Sequence, residues 1–243
     1  MPDLPTVRDS LEQCYDAIES LCSRLEGAQW HTQSLCPDWT ARDVVSHLGM
    51  MERVMTGWLP GSADEAAPLD RITDIFAGRR ADLAKLTGTD LALPSWTPIG
   101  PRSYGGFLEI RIFDFWVHER DITTPLDWPT DDAGRRAEIA LGQVESSIGY
   151  IVGKKVGLPD GTSIVFHLTG PLERDISVIV DGRAKQVDSV ADPTAELTTD
   201  STTFIQLAAG RIDPQRQLDT GRVSVSGDRD LANRAALNLR FTM

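Results

Sequence analysis

The sequence predicts an α plus α+β protein, with an all-helical domain over residues 1–154 and a smaller α+β domain over 155–243. Three observations carry this. Up to about Val152 the apolar residues recur at three- and four-residue steps, the period of helices with one buried face. After Lys154-Lys155-Val156-Gly157-Leu158-Pro159-Asp160-Gly161 the period falls to two, the pattern of half-buried strands. The length of 243 residues, 41% hydrophobic and 25% charged, suits one large globular domain or two of ordinary size.

Leu11, Cys14, Tyr15, Ile18, Leu21, Cys22 and Leu25 share one face, which predicts a helix from about Thr6 to Leu25. Cys14 and Cys22 lie on its apolar stripe and read as small core residues. His31 falls in a polar connector and is expected to face water. Leu35-Cys36-Pro37-Asp38-Trp39 is a turn into a second helix. Thr40 and Asp43 have the spacing of a capping box, with Asp in the place usually held by Glu or Gln. Val44, Val45, Leu48, Met51, Val54, Met55 and Trp58 form the apolar face of that helix, and His47 lies beside it. A polar group there needs a partner, and Asp43 is one candidate.

Leu59 to Leu69 reads as a linker, and a third helix is expected over Arg71–Leu86. Pro94, Pro98 and Pro101 exclude helix from the stretch between Leu93 and Pro101, which could rim a pocket. A helix follows from Ser103 and ends before Pro125. Another spans about Asp132 to Val152, with Ala137, Ala140, Leu141, Val144, Ile148 and Ile151 inward. Together these are antiparallel helices around one core. In the second domain Ser163–Leu168 and Asp175–Val180 alternate as strands. Ala195–Thr198 and Val223–Gly227 are shorter strands, and Ser201–Gly210 and Asp230–Leu239 are helices. His167 alternates within a strand and reads as sheet surface.

A net charge of −12 argues against a nucleic-acid partner, which favours a basic patch. The three cysteines, Cys14, Cys22 and Cys36, form no CxxC pair, and an odd count suits a reducing compartment. The N-terminus has no apolar signal region and no apolar run is long enough to span a bilayer, so a cytoplasmic protein without a membrane partner is expected.

The chemistry-bearing stretch is Asp114-Phe115-Trp116-Val117-His118-Glu119-Arg120-Asp121-Ile122. On a helix Asp114 and His118 lie on one face, one turn apart. A carboxylate and an imidazole at that spacing can share a divalent metal, and His47 is the third candidate ligand. Two histidines and one carboxylate leave an open coordination position, as in a catalytic zinc site. The same spacing also fits a helix-surface ion pair, and a lone histidine on an apolar helix also fits a satisfied core residue. Spacing alone leaves these alternatives open.

Cys36-Pro37-Asp38-Trp39-Thr40-Ala41-Arg42-Asp43-Val44-Val45-Ser46-His47-Leu48-Gly49 resembles the N-terminal signature of the mycothiol-dependent maleylpyruvate isomerases, and so does Trp116-Val117-His118-Glu119-Arg120-Asp121-Ile122. Ala191-Asp192-Pro193-Thr194, Ala209-Gly210-Arg211 and Ser226-Gly227-Asp228-Arg229-Asp230-Leu231 resemble the family's second domain. The resemblance implies a DinB-like four-helix bundle joined to an α+β domain related to sterol carrier proteins. It implies metal ligands at His47, Asp114 and His118. The family has Glu where this chain has Asp114, about one methylene or roughly 1.5 Å shorter in reach, so the metal is expected to shift towards that helix or bind more weakly. Asp121, one turn after His118, is placed to orient that imidazole or to form a structural ion pair.

The implied cofactors are zinc, or another divalent metal, and mycothiol. The implied partners are a low-molecular-weight thiol and a small electrophilic substrate. Since free thiols ionise near pH 8.5, a metal that deprotonates sulfur provides a nucleophile at neutral pH. The expected activity is a thiol S-transferase or isomerase, with maleylpyruvate isomerisation as a special case. A dicarboxylate substrate calls for arginine, with Arg111, Arg120, Arg222 and Arg229 as candidates. A ligand-binding protein with a structural metal and a zinc-dependent hydrolase, with Glu119 as base, are the alternatives.

Overall fold

Helix α1 (Leu4–Arg24) starts where the Asp3 carboxylate accepts a hydrogen bond from the Thr6 amide, with a proline in its first turn. In the computed structural model, which describes residues 3–55, 72–97 and 100–242, its stripe of Val7, Leu11, Cys14, Tyr15, Ile18 and Leu21 is buried. Helix α2 (Ala41–Met55) opens on the expected capping box: Asp43 Oδ2 accepts from the Thr40 amide at 2.9 Å, and Thr40 Oγ1 accepts from the Asp43 amide at 3.3 Å. Asp43 is thus taken up by the cap. Helix α3 is Ile72–Lys85. The expected linker Leu59–Leu69 and the expected inward residue Trp58 lie outside the described residues.

The proline-rich stretch is not helical, as expected, but it departs from an all-helical first domain. Pro94–Thr97 (β1) and Gly100–Ser103 (β2) pair as an antiparallel hairpin. The hairpin delivers the chain to Ser103, whose Oγ accepts from the Gly106 amide and caps helix α4 (Tyr104–Thr123). α4 packs on both α1 and α2 and is buried almost all round. Full burial of an apolar side chain such as Leu11, Ile18, Leu48 or Ile112 is worth about 1.5–3 kcal/mol. The polar residues that α4 buries must therefore find partners inside the bundle.

Chain contacts divide the protein into two compact units, Met1–Asp131 and Asp132–Met243. The division differs from the sequence expectation at helix α5 (Gly134–Tyr150), which continues as a π-helical turn over Ile151–Val156. Its periodicity fits a bundle helix equally well, but it packs on strands of the second unit. Gly149 permits this: a Cβ there would meet the Ala184 carbonyl oxygen at 2.8 Å.

The second unit holds a five-stranded sheet in the order β5-β4-β3-β6-β7. Its strands are β3 (Ser163–Thr169), β4 (Arg174–Asp181), β5 (Arg183–Val187), β6 (Ala195–Asp200) and β7 (Ser224–Gly227). β3 and β6 run parallel and the other neighbours antiparallel. Helices α6 (Ser201–Ala208), α7 (Pro214–Asp219) and α8 (Arg229–Leu237) complete it. β5 and α7 are additions to the sequence reading: β5 is largely polar and α7 only six residues long, so neither shows a clear apolar period. His167 lies on the sheet surface, bonded to Asp175 at 2.7 Å. Among the described residues no helix is long and apolar enough to cross a membrane.

Candidate metal centre

Arg111, Asp114, His118 and Asp121 follow one another at three- and four-residue steps along α4, so they form one polar stripe on a buried helix. α2 brings His47 to the same stripe. His47 Nε2 lies 3.6 Å from Asp114 Oδ2, and His118 Nε2 lies 3.4 Å from Asp114 Oδ1. One ligand atom from each of the three falls within 4.8 Å of the others. Ligands held at 2.0–2.1 Å around a tetrahedral zinc stand roughly 3.3 Å apart, close to the distances of each imidazole from an oxygen of Asp114. Asp114 already stands at that spacing from both imidazoles despite its shorter side chain.

The far side of His118 is organised differently. Its Nδ1 is 2.8 Å from Asp121 Oδ2, and the Cys36 thiol donates to the same oxygen at 3.0 Å. Cys36, His118 and Asp121 also form a three-residue group of metal-ligating types. The two spacings to Asp121 are those of hydrogen bonds, shorter than the roughly 3.3–3.5 Å between neighbouring N, O and S ligands of one zinc, and Cys36 Sγ lies 3.9 Å from His118 Nδ1. All three residues are buried, whereas the side chains of His47 and Asp114 are 24% and 27% exposed. The outer group has an access route and the inner one orients it. An ionised carboxylate only accepts, so Asp121 holds the proton on Nδ1 and turns Nε2 towards Asp114.

Charge around Asp114 is strongly organised. Burial raises its carboxyl, but His118 and Arg111 outweigh that and hold it well below the usual carboxylate range. Burial works against protonation of His118, but Asp114, Asp121 and Cys36 hold it well above the ordinary histidine value in the metal-free protein. Arg111 donates from Nη1 to Asp114 Oδ2 at 2.6 Å and from Nε to Glu52 Oε1 at 2.9 Å. Glu52, on α2, also accepts from Arg79 Nε at 2.9 Å and from the Tyr15 hydroxyl at 2.7 Å. Burial raises the Glu52 carboxyl, and the two arginines more than reverse it.

The loop before α2 walls the site. Gln33 donates to the carbonyls of Ser34, Cys36 and Trp39, and the Leu35 amide donates to the Asp121 carbonyl. This pins Cys36 beneath His118 and sets Trp39 against both imidazoles, 5.1 Å from the His47 ring and 6.1 Å from the His118 ring.

His47, Asp114 and His118, named from the sequence, are therefore brought together. Asp43, one candidate partner of His47, is engaged by Thr40 instead. Glu119 belongs to neither metal-ligating group; it lies 3.6 Å from Arg120, which donates to the Trp116 and Asp131 carbonyls. Of the four candidate arginines Arg111 contacts Asp114, and Arg222 and Arg229 belong to the second unit. Cys22 is an inert thiol, pushed up to about 11 by burial and by Glu19. Glu52 is not assigned its place behind Arg111 by sequence pattern alone. It stands at heptad-like spacing from Val45 and Leu48 on an otherwise apolar face, which was the available signal. A cleft of about 690 Å³ lined by Trp30, Val45, Met50 and Ile72 includes none of His47, Asp114 and His118.

Two family models match the chain: the mycothiol maleylpyruvate isomerase N-terminal domain over residues 11–123 and the MDMPI C-terminal domain over residues 138–234. Among solved structures, a mycothiol-dependent maleylpyruvate isomerase superposes with a TM-score of 0.59 at 13% identity, covering 93% of each chain. A mutant form of such an isomerase gives 0.62 at 12% identity, again covering 93% of each chain. No curated protein sequence matches the chain significantly.

Proposed function

Because this chain belongs to the mycothiol maleylpyruvate isomerase family, whose domain models it matches in both halves, we propose that it is a metal-dependent, mycothiol-using thiol transferase or isomerase. The observation that carries this is the convergence of His47, Asp114 and His118 at the spacing of zinc ligands. Three protein ligands leave a coordination position open. A bound zinc supplies the charge that converts a thiol to a thiolate at neutral pH.

The protein's own part is preparation. Asp121 keeps the Nδ1 proton and directs Nε2 of His118 outward. Trp39 shields the two imidazoles on one side. Against its burial, His118 and Arg111 keep Asp114 ionised. In the reaction, a thiolate sulfur forms a bond to an alkene carbon conjugated with a carbonyl, and the π pair moves towards that carbonyl. The former double bond then rotates, and expulsion of the thiolate restores the alkene as the trans isomer. With another electrophile a leaving group departs and a thioether remains. Maleylpyruvate, the substrate named for the similar solved structures, is one candidate.

The test loads the protein with zinc and offers maleylpyruvate or a thiol-reactive electrophile with mycothiol, cysteine or no thiol. Turnover requiring both metal and thiol, and faster with mycothiol, is expected. Turnover with water alone points to a hydrolase. Absence of turnover with any thiol overturns the proposal.

A further inference from the structure

Every donor that Arg111 directs at a protein acceptor is committed to a carboxylate. Nε is on Glu52 Oε1 and Nη1 is on Asp114 Oδ2, while Nη2 is buried without a protein partner. Arg111 is itself anchored from behind. Glu52 is fixed by Arg79 and Tyr15, and the Arg111 guanidinium also lies 5.1 Å from the Phe115 ring. The side chains of Arg111 and Glu52 are 5% and 1% exposed, so the fork cannot swing into solvent. It therefore constrains the one partner that is partly exposed, Asp114. Oδ2 is held by the guanidinium and lies 3.6 Å from His47 Nε2, whereas Oδ1, which Arg111 does not hold, faces His118 Nε2 at 3.4 Å.

A carboxylate can bind a metal through one oxygen or through both. Through both, Asp114 with two histidines fills four positions and closes the site; through one, a position stays free. We infer that Arg111 is a positioning residue that restricts Asp114 to a single ligating oxygen, and so keeps open the coordination position that a thiol needs. This rests on His47, Asp114 and His118 being the metal ligands. It assigns Arg111 a role in metal geometry, separate from substrate recognition. Glu52, Arg79 and Tyr15 serve it by fixing the guanidinium plane.

Cobalt(II) in place of zinc tests this without an activity assay, because a thiolate on cobalt gives a charge-transfer band that nitrogen and oxygen ligands do not. Wild type, Arg111→Met and Arg111→Lys are loaded with cobalt, and 2-mercaptoethanol is then added. The wild type is expected to show the strong four-coordinate bands and a thiolate-to-cobalt charge-transfer band on adding the thiol. Arg111→Met, with four protein donor atoms on the cobalt, is expected to keep the strong visible bands but to lose the charge-transfer band. Arg111→Lys, which still offers Oδ2 a cationic donor, is expected to recover part of it. Identical spectra for wild type and Arg111→Met overturn the inference while leaving the ligand assignment intact. Failure of the wild type to bind cobalt overturns both.

Should Arg111→Met fail to fold, nitrogen-15 NMR of the wild type decides. The Arg111 Nη1 protons should remain protected from exchange when zinc is added. Their release on metal loading shows that Oδ2 has left Arg111, and overturns the inference.

Discussion

Replacement of Glu52 by Gln is expected to destabilise the first unit by about 3–5 kcal/mol, the usual cost of breaking a buried ion pair from one side. Glu52 is 1% exposed and accepts hydrogen bonds at 2.9 Å from Arg79, 2.9 Å from Arg111 and 2.7 Å from Tyr15. Glutamine keeps the shape but removes the charge that both guanidinium groups face. It also puts an amide donor among these existing donors. All six tryptophans precede residue 132, so tryptophan fluorescence reports on the first unit. With a urea m-value of about 2 kcal/mol per molar, the loss moves the midpoint down by about 2 M. The measurement is made with chelator present, because bound metal adds its own stabilisation. Tyr15→Phe removes one hydrogen bond to the same carboxylate and is expected to cost about 1.5–3 kcal/mol. A Glu52→Gln midpoint within about 0.5 M of wild type refutes the reasoning, since it means that Asp82 and Asp114 suffice for the two arginines.

His47→Ala and His118→Ala should each abolish stoichiometric zinc while retaining a helical circular dichroism spectrum; full metal content in both rejects the ligand assignment. Asp114→Glu should weaken metal binding by about ten- to a hundredfold, because a carboxylate already at ligand spacing is pushed past it and loses Arg111; equal or tighter binding in a competition titration contradicts this. Zinc uptake should release protons and strengthen as pH rises, because in the metal-free protein the raised His118 holds a proton that the metal displaces. In the same metal-free protein the raised His118 contributes stability that is full below its unfolded value of about 6.5 and is lost as pH climbs through the folded value. The depressed Asp114 contributes stability that is full above about 3.9 and is lost as pH falls through its lower folded value. Melting temperature measured with chelator should therefore peak between about pH 4 and 6.5 for this pair, and the peak should vanish in Asp114→Ala.

The amino-acid sequence by itself determined the helical and mixed parts, because a period of three to four or of two is a local property of the chain. It determined α4 and the pairing of Asp114 with His118, since one helix sets the distance between residues four apart. The signature around His47 allowed the third candidate metal ligand to be named by resemblance. The tertiary structure decided what local pattern leaves open. The helix Gly134–Tyr150 has the apolar stripe of a bundle helix, and only the close approach of Gly149 to Ala184 shows which layer receives it. Cys36 reads as one of three unpaired thiols until the loop is folded beneath α4 and its sulfur meets Asp121. Glu52 interrupts an apolar face, and Arg111 reads as one arginine among many. They are 59 residues apart, and their meeting depends on how α2 lies against α4. Ligand spacing along one helix is written in the chain, whereas the orientation of a carboxylate by groups behind it exists only once the helices have packed.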